Sequence, residues 1–420
     1  MKSFLKDFVL IDDCVRGFEH FFNFCSKWSS RNNKRYVVYF LSMKKIYWHI
    51  QQLDKIGGTE EVSIVLMNAL AKYYDVTLIC TSRISDKICY TIDKNISIFN
   101  LELPNDISRY DQYSYKYLKS FHLLKFFNLT FRLLKYYLFR RRKYRNLIEN
   151  LVEEDAIYIA SSLDSYLFAP KNRKVLFHFH FDAKSFLAPF FQIVLKMCVK
   201  PEKYIFLSKS IKDAVLKKKP ELDAKSLYMY NPSRFEREEN FTYKGSRIIF
   251  VGRYAKQKNP ILALKVADEL KKLNTKFKLD MFGQGSLEPE MRKYVSTHHL
   301  EDVVSINKPK INIKDEIRNS DLILLTSLYE GIVLVKLEGN SLSIPVITSC
   351  KSESLLEVSI NNKDGILIED DDEKKYAKAI KELLEDREKL ESLKKSTYEL
   401  STRFEIDNIV EKWVNFIESI

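Results

Sequence analysis

Two carboxylates, Glu330 and Glu338, stand eight residues apart in NSDLILLTSLYEGIVLVKLEGNSLSIPVITS, with Gly331 directly after the first. A carboxylate accepts hydrogen bonds from vicinal hydroxyls, and one at a loop-to-helix turn with another two helical turns on, ~12 Å of rise, would address both ends of an extended ligand. Upstream, IIFVGRYAKQKNPILALK ends an apolar run in Gly252, followed by Arg253 and, five residues later, Lys258. Two cations at a strand end can clamp a diphosphate through charge-assisted hydrogen bonds of ~1.5–3 kcal/mol each in a dry site. Gly283 and Gly285 in LDMFGQGSLEPEM end the next strand and suit close backbone approach. Near the amino end, Gly57-Gly58 follows KIYWHI, and Thr59 is placed to cap a helix whose free N–H groups would face an anion. The dinucleotide fingerprint GxGxxG is not matched. In KVLFHFHFD, period-two alternation puts His178 and His180 on one strand face, with His180 nearer the carboxyl end.

These residues need strands to end beside them. From 43 to about 232, short β-branched or aromatic runs (KIYWHI, DVTLIC, AIYIAS, KVLFHFH, YIFLS) alternate with helical stretches, the pattern of βαβ units on a parallel sheet. After Asn231-Pro232-Ser233 and the charged stretch RFEREENFTYKGSR the cycle restarts with IIFVG, KLDMFG, VVSIN, LILLTS and PVITS. The expectation is α/β: residues 43–235 and 236–402 as two doubly wound domains with a ligand cleft at their strand ends. Residues 1–42 form an N-terminal extension of different texture. Residues 403–420 form an amphipathic helix packing back toward the first domain. The run Glu369-Asp370-Asp371-Asp372-Glu373 reads as a helix start rather than a metal site.

The 420 residues carry 69 Lys+Arg against 56 Asp+Glu, a formal charge of +13, with 45% hydrophobic residues, which excludes a mainly disordered chain. The longest uncharged run, Gly339 to Cys350, falls short of the ~18 apolar residues a spanning helix needs. Lys6, Asp7, Asp12 and Asp13 interrupt any signal-peptide core. Six dispersed cysteines without a CxxC pair fit reduced thiols in the cytoplasm.

In their order, GGTE, NPS, VGRYAKQKN, FGQG, SDLILLTSLYEG, LEG and IPVI resemble the retaining glycosyltransferases of family 4, from about Met43 onward and most strongly over 246–367. The resemblance implies the GT-B fold, two facing Rossmann-like domains with a central cleft. It implies that Arg253 and Lys258, with Gly58 and the backbone N–H groups of Ile332 and Val333, bind the donor diphosphate, and that Glu338 holds the ribose. Glu330 and His180 would lie by the transferred sugar as the catalytic pair, and Gly57, Gly58 and Thr59 would form the N-domain glycine loop. The implied donor is a nucleotide-diphosphate sugar, a UDP-sugar ahead of a GDP-sugar. The acceptor would be a glycan or a lipid-linked sugar of a cell-surface polysaccharide or glycolipid. No cofactor and no metal are expected, since no DxD motif occupies a plausible strand end. Three departures stand out: Ser343 where a Gly usually precedes Ile-Pro-Val, Gly339 for a usual Ala, and Lys351-Ser352-Glu353 in place of a Gly-Gly before Glu357.

Between Asp111 and Glu149 no acid interrupts ten Lys/Arg interleaved with aromatics and leucines. Lys125, Arg132 and Lys135 share one helical face, and with Arg140, Arg141 and Arg142 they read as a patch for an anionic membrane surface, each charge contributing ~1 kcal/mol there. The protein would then sit peripherally at the inner face of the cell membrane. An ordinary solvated helix face is the other reading. Nucleic acid is not expected as a partner, because no binding motif accompanies the charge. The alternatives to a transferase are a catalytically silent or nucleic-acid-associated α/β protein, and a phosphorylase of the same fold, which would need a pyridoxal cofactor.

Overall fold

A computed structural model of the chain describes residues 43–54, 57–82, 88–103, 141–310, 312–331, 333–350 and 353–420. Residues 1–42 therefore lie outside the described residues, as do Lys125, Arg132, Lys135 and Arg140 of the basic stretch, and Ile332. Residues 44–420 form one compact unit.

The strands are β1 (Lys45–Ile50), β2 (Asp75–Ser82), β3 (Ser97–Leu103), β4 (Ile157–Ala160), β5 (Lys174–Phe179), β6 (Lys203–Phe206) and β7 (Ser226–Tyr228), then β8 (Arg247–Val251), β9 (Lys278–Phe282), β10 (Val304–Asn307), β11 (Leu322–Leu325), β12 (Val346–Ser349) and β13 (Gly365–Ile368). They form two wholly parallel sheets, ordered β3-β2-β1-β4-β5-β6-β7 and β10-β9-β8-β11-β12-β13. Runs such as Leu322–Leu325 and Ile157–Ala160 are buried at every position, as strands covered by helices on both faces must be. In each sheet the winding direction reverses beside the first strand, between β1 and β4 and between β8 and β11. The crevice outside the carboxyl ends at such a point is where doubly wound folds bind ligands.

One apolar cluster joins the two sheets, taking Phe177, Phe206 and Leu207 from the first half and Leu325, Val333 and Leu355 from the second. The helix Ile406–Glu418, last in sequence, returns to the first sheet: it buries Ile409, Val410, Trp413 and Ile417, and Trp413 lies 5.5 Å from Trp48 between ring centroids. Lys44 Nζ donates to Ile417 O at 3.1 Å, and the Tyr74 hydroxyl to Glu418 Oε1 at 2.9 Å. Asp372 accepts from the Lys374 and Lys375 amides at the start of the helix Glu373–Glu385, so this member of the acidic run is an N-cap. Ser343 has φ 63°, the left-handed region that favours glycine; its Oγ donates to Glu238 O at 2.6 Å and accepts from the Asn240 amide at 3.2 Å, which holds a serine there. Among the described residues no helix is long and apolar enough to cross a membrane.

Candidate active site

The loop after β8 and the loop after β11 are laced together. Thr326 Oγ1 donates to the Lys258 and Asn259 carbonyls at 3.0 and 2.9 Å, and the Leu328 amide donates to Gln257 O at 2.8 Å. Asn259 takes a left-handed φ of 47°, which turns the chain into the helix Pro260–Lys272 and leaves Lys258 at the strand end. There Lys258 Nζ lies 2.5 Å from Glu330 Oε1, with both side chains largely buried. Arg253 is exposed and donates to Gln257 Oε1 at 2.9 Å, so it stands at the rim and not in the Lys258–Glu330 contact. Gly283 and Gly285 serve the loops themselves: a Cβ at Gly283 would overlap the Gly252 carbonyl oxygen, and one at Gly285 the Tyr254 carbonyl oxygen. The close approach expected there is backbone to backbone.

Glu338 projects from the helix Leu334–Ser341, with Val333 as the residue before its first turn. The helix begins only at Leu334, so the two-turn helical spacing expected between Glu330 and Glu338 does not exist: Glu338 is one turn in, and Glu330 precedes the helix. Glu338 is 4% exposed and meets Arg234, whose Nε lies 2.6 Å from Glu338 Oε1. The same guanidinium binds Glu61 Oε1 in the first turn of the helix Gly58–Leu70. Arg234 therefore bridges a carboxylate of each half. Burial pushes the Glu338 carboxyl up to about 7; Arg234 opposes this and Glu61 adds to it. Sequence reasoning missed Arg234 because it opens the charged stretch read as a boundary; its place directly after NPS was the available signal.

On the other side, Gly57 is the extended N-cap of the helix Gly58–Leu70, with no side-chain cap. Thr59 lies inside the first turn and does not cap it, a correction to the expectation from sequence. The Gly57 amide donates to the Tyr90 hydroxyl at 2.8 Å. A Cβ on Gly58 would come 3.4 Å from Leu334 Cδ1, so the glycine turn faces the start of the Glu338 helix.

His180 follows the last residue of β5, and its Nε2 lies 3.1 Å from Nδ1 of His178. His178 is fully enclosed by Trp48 and Trp413, at 5.9 and 5.3 Å between centroids, and its Nε2 has no hydrogen-bond partner. Burial pushes the His180 imidazole down to about 3, so it is a neutral dipole at any working pH. Gly331 closes the arrangement, since a Cβ there would sit 3.2 Å from the His180 carbonyl oxygen. The Glu330-Gly331 turn thus rests against the end of β5. Beside it, Glu357 accepts from the Lys209 and Ser210 amides at 2.8 and 2.6 Å and from the Tyr230 hydroxyl at 2.5 Å. Burial raises this carboxyl, but the bonds from Ser210 and Tyr230 outweigh burial and hold it below its ordinary value.

The structure therefore gathers Lys258, Glu330 and His180 around Gly331, and Glu338 with Gly58 and the Arg234 bridge around Leu334. Arg141 and Arg142 lie elsewhere, at the start of the helical residues 141–151. Among the described residues no group of three or more His, Cys, Asp or Glu could hold a metal ion.

Residues 232–400 match the family model of the glycosyl transferases group 1. The amylovoran biosynthesis glycosyltransferase AmsD of Erwinia amylovora is 23% identical over 381 residues, covering 88% of this chain and 99% of that protein. A Campylobacter jejuni N-acetylgalactosamine-N,N'-diacetylbacillosaminyl-diphospho-undecaprenol 4-alpha-N-acetylgalactosaminyltransferase is 26% identical over 360 residues, covering 82% and 91%. Among solved structures, a mutant of S. aureus TarM in complex with Fondaparinux, alpha-GlcNAc-glycerol and UDP superposes with TM-score 0.70 at 15% identity, covering 89% of this chain and 99% of that one. Anabaena HepE in complex with UDP-glucose gives 0.65 at 14% identity, covering 90% and 100%.

Proposed function

We propose that this chain, a glycosyltransferase of group 1 over residues 232–400 with the GT-B fold, moves a sugar with retention from a nucleotide-diphosphate sugar to a hydroxyl of a lipid-linked or polysaccharide acceptor, without a metal ion. The observation that carries the reading is the meeting of Lys258 and Glu330 with the end of β5 at Gly331, at the winding reversal of the second sheet. A relative named for amylovoran biosynthesis, another named for a diphospho-undecaprenol-linked sugar, and neighbours bound to UDP or UDP-glucose support the same reading.

In this reading the diphosphate lies along Lys258, Arg253 and the amide of Val333, with Gly58 opposite it, and Lys258 exchanges Glu330 for the departing phosphate oxygens. A cation held at a largely buried strand end stabilises charge that develops as the glycosidic bond lengthens, and needs little reorganisation to do so. Glu330, freed from Lys258, then orients the sugar hydroxyls. Glu338 accepts from the ribose hydroxyls as an ionised carboxylate, a state that Arg234 favours. Neutral His180 hydrogen-bonds at the reacting face without adding positive charge beside an oxocarbenium-like sugar. The acceptor hydroxyl attacks from the face the leaving group occupies and passes its proton to the departing phosphate oxygen as the sugar–phosphate bond breaks, so no enzyme nucleophile is required. Peripheral attachment through the basic stretch ending in Arg141 and Arg142 completes the proposal; unchanged sedimentation with anionic vesicles after neutralising Arg140, Arg141 and Arg142 removes that part alone.

The test is thermal stabilisation by UDP, GDP, ADP and CMP, each with and without magnesium, on the wild type and on Glu338→Ala. The expected result is a shift with UDP that is independent of magnesium and lost in the variant. Absence of any shift turns the reading toward a silent fold; a shift that requires magnesium overturns its metal-free part.

A further inference from the structure

The first half carries a second charged feature, remote from the cleft. Arg141, Arg142 and Arg145 on the helical residues 141–151, Lys171 in the loop before β5, and Lys196 and Lys200 before β6 line an open concavity of about 1040 Å³. Lys171 and Lys200 each lie three residues before the amino end of their strand, whereas His180 follows the carboxyl end of β5. Six residues of strand at ~3.3 Å each separate the two places by roughly 20 Å.

None of the six cations pairs with a carboxylate among the described residues, although the chain offers acids nearby. Glu149, one turn after Arg145, is engaged by the Lys171 and Asn172 amides and by Arg173. Arg145 is only 8% exposed; its Nη2 donates to Leu167 O at 2.9 Å, while its Nε is buried without a partner, as is Nε of Arg141. Orphaned guanidinium donors at the wall of a cationic concavity are costly to keep, and an anion is the group that satisfies them. Burial, and then Arg141 beside it, lower the Arg145 guanidinium from its ordinary value, and Glu149 opposes this without reversing it.

We propose that this concavity is a second anion site, separate from the donor cleft, that binds a phosphate or diphosphate group through Arg141, Arg145, Lys171, Lys196 and Lys200. The helix Pro189–Met197 that carries Lys196 also presents Phe190 and Ile193 to solvent, 67% and 59% exposed, one helical turn apart. An apolar edge beside a phosphate site suits a phosphate borne on a lipid better than a free one. The site shares Arg141 with the proposed membrane attachment but does not depend on the transfer reaction, so its failure would leave the proposed transfer chemistry untouched.

The experiment is hydrogen exchange of the full chain, read locally, with two probes: inorganic pyrophosphate, and vesicles of phosphatidic acid in phosphatidylcholine against phosphatidylcholine alone. Protection of peptides covering 141–147 and 196–202 is expected, with at least tenfold weaker apparent affinity in Lys171→Ala/Lys196→Ala/Lys200→Ala and unchanged affinity in Glu338→Ala. Those three lysines reach solvent, so the variant folds; Arg145→Lys is a second variant that keeps the charge and replaces the planar guanidinium by an ammonium. Protection by pyrophosphate assigns a soluble anion, and protection by phosphatidic acid vesicles alone assigns the lipid-borne one. Protection confined to peptides 252–259 and 326–331 of the cleft, no protection by either probe, or protection unaffected by the triple variant overturns the proposal.

Discussion

Lys258 meets Glu330 and Arg234 meets both Glu61 and Glu338, whereas none of the six cations in the concavity meets a carboxylate among the described residues. The two regions also differ in what holds their charges. Those of the cleft stand at strand ends and first turns, inside loops tied by backbone bonds. Those of the concavity stand on two helices and on the loops that lead into the amino ends of β5 and β6. A charge that must be largely buried before its ligand arrives needs a resident counter-charge, or desolvation moves its pKa and neutralises it. Lys171, Lys196 and Lys200 reach open solvent, keep their hydration and can wait unpaired, while the largely buried Arg145 is the member that an anion would relieve. In the proposed reading the cleft thus exchanges partners on binding, while the concavity gains them.

A third class of charge sharpens the comparison. Lys336–Asp364 at 3.0 Å and Lys394–Asp321 at 3.1 Å are both essentially inaccessible and only structural. Lys336→Met leaves the buried Asp364 with only the 3.8 Å contact to Arg403 as a counter-charge among the described residues, and a loss of about 3–5 kcal/mol is expected in urea unfolding, with nucleotide binding intact while the chain is folded. Lys258→Ala removes the cation proposed to receive the departing phosphate. Turnover should fall ~10²–10³-fold with a much smaller change in unfolding midpoint, the reverse of the Lys336 pattern. Equal losses of stability in the two variants would erase the distinction between them.

Glu338→Gln separates the cost of its charge from its use. The folded carboxyl titrates near 7, above its unfolded value, so between about 4.5 and 7 the folded state holds the extra proton and stability from this group falls as pH rises. The amide mimics the protonated form. The variant should match wild type near pH 4.5 and gain on it by about 1–3 kcal/mol at pH 8, while donor binding at pH 8 is lost. A constant difference across that range would mean that Arg234 keeps Glu338 ionised throughout. The smallest effect belongs to the concavity: Lys171→Ala and Lys196→Ala should each change unfolding free energy by less than about 0.5 kcal/mol without ligand, since no pair is broken.

Much of the fold was legible because parallel strands covered on both faces spell themselves as short apolar runs, and KIYWHI, LILLTS and PVITS are such runs. The glycine signals were legible as glycine but not as purpose, since Gly283 and Gly285 meet backbone of the adjacent loop. Thr59 failed as a cap because the helix starts one residue earlier, at Gly58, and the chain offers two equally permissive glycines there. The Glu330-to-Glu338 spacing misled because a period says nothing about where a helix begins. Arg234 was invisible as a site residue because its two partners lie 173 and 104 positions away in sequence.

By itself the sequence determined that the chain forms two doubly wound α/β halves, that Lys258 and Glu330 fall just beyond apolar strands, and that His180 lies nearer the end of its strand than His178, because burial periodicity and local turn chemistry act over a few residues. Only the tertiary structure decided which charges are paired. It set Glu330 against Lys258, ran Arg234 across to Glu61 and Glu338, placed Gly331 on the His180 carbonyl, and left the six cations of the concavity without a paired carboxylate among the described residues. Ion pairing depends on distances of a few ångströms between groups far apart in the chain, and on the desolvation that packing imposes at each of them.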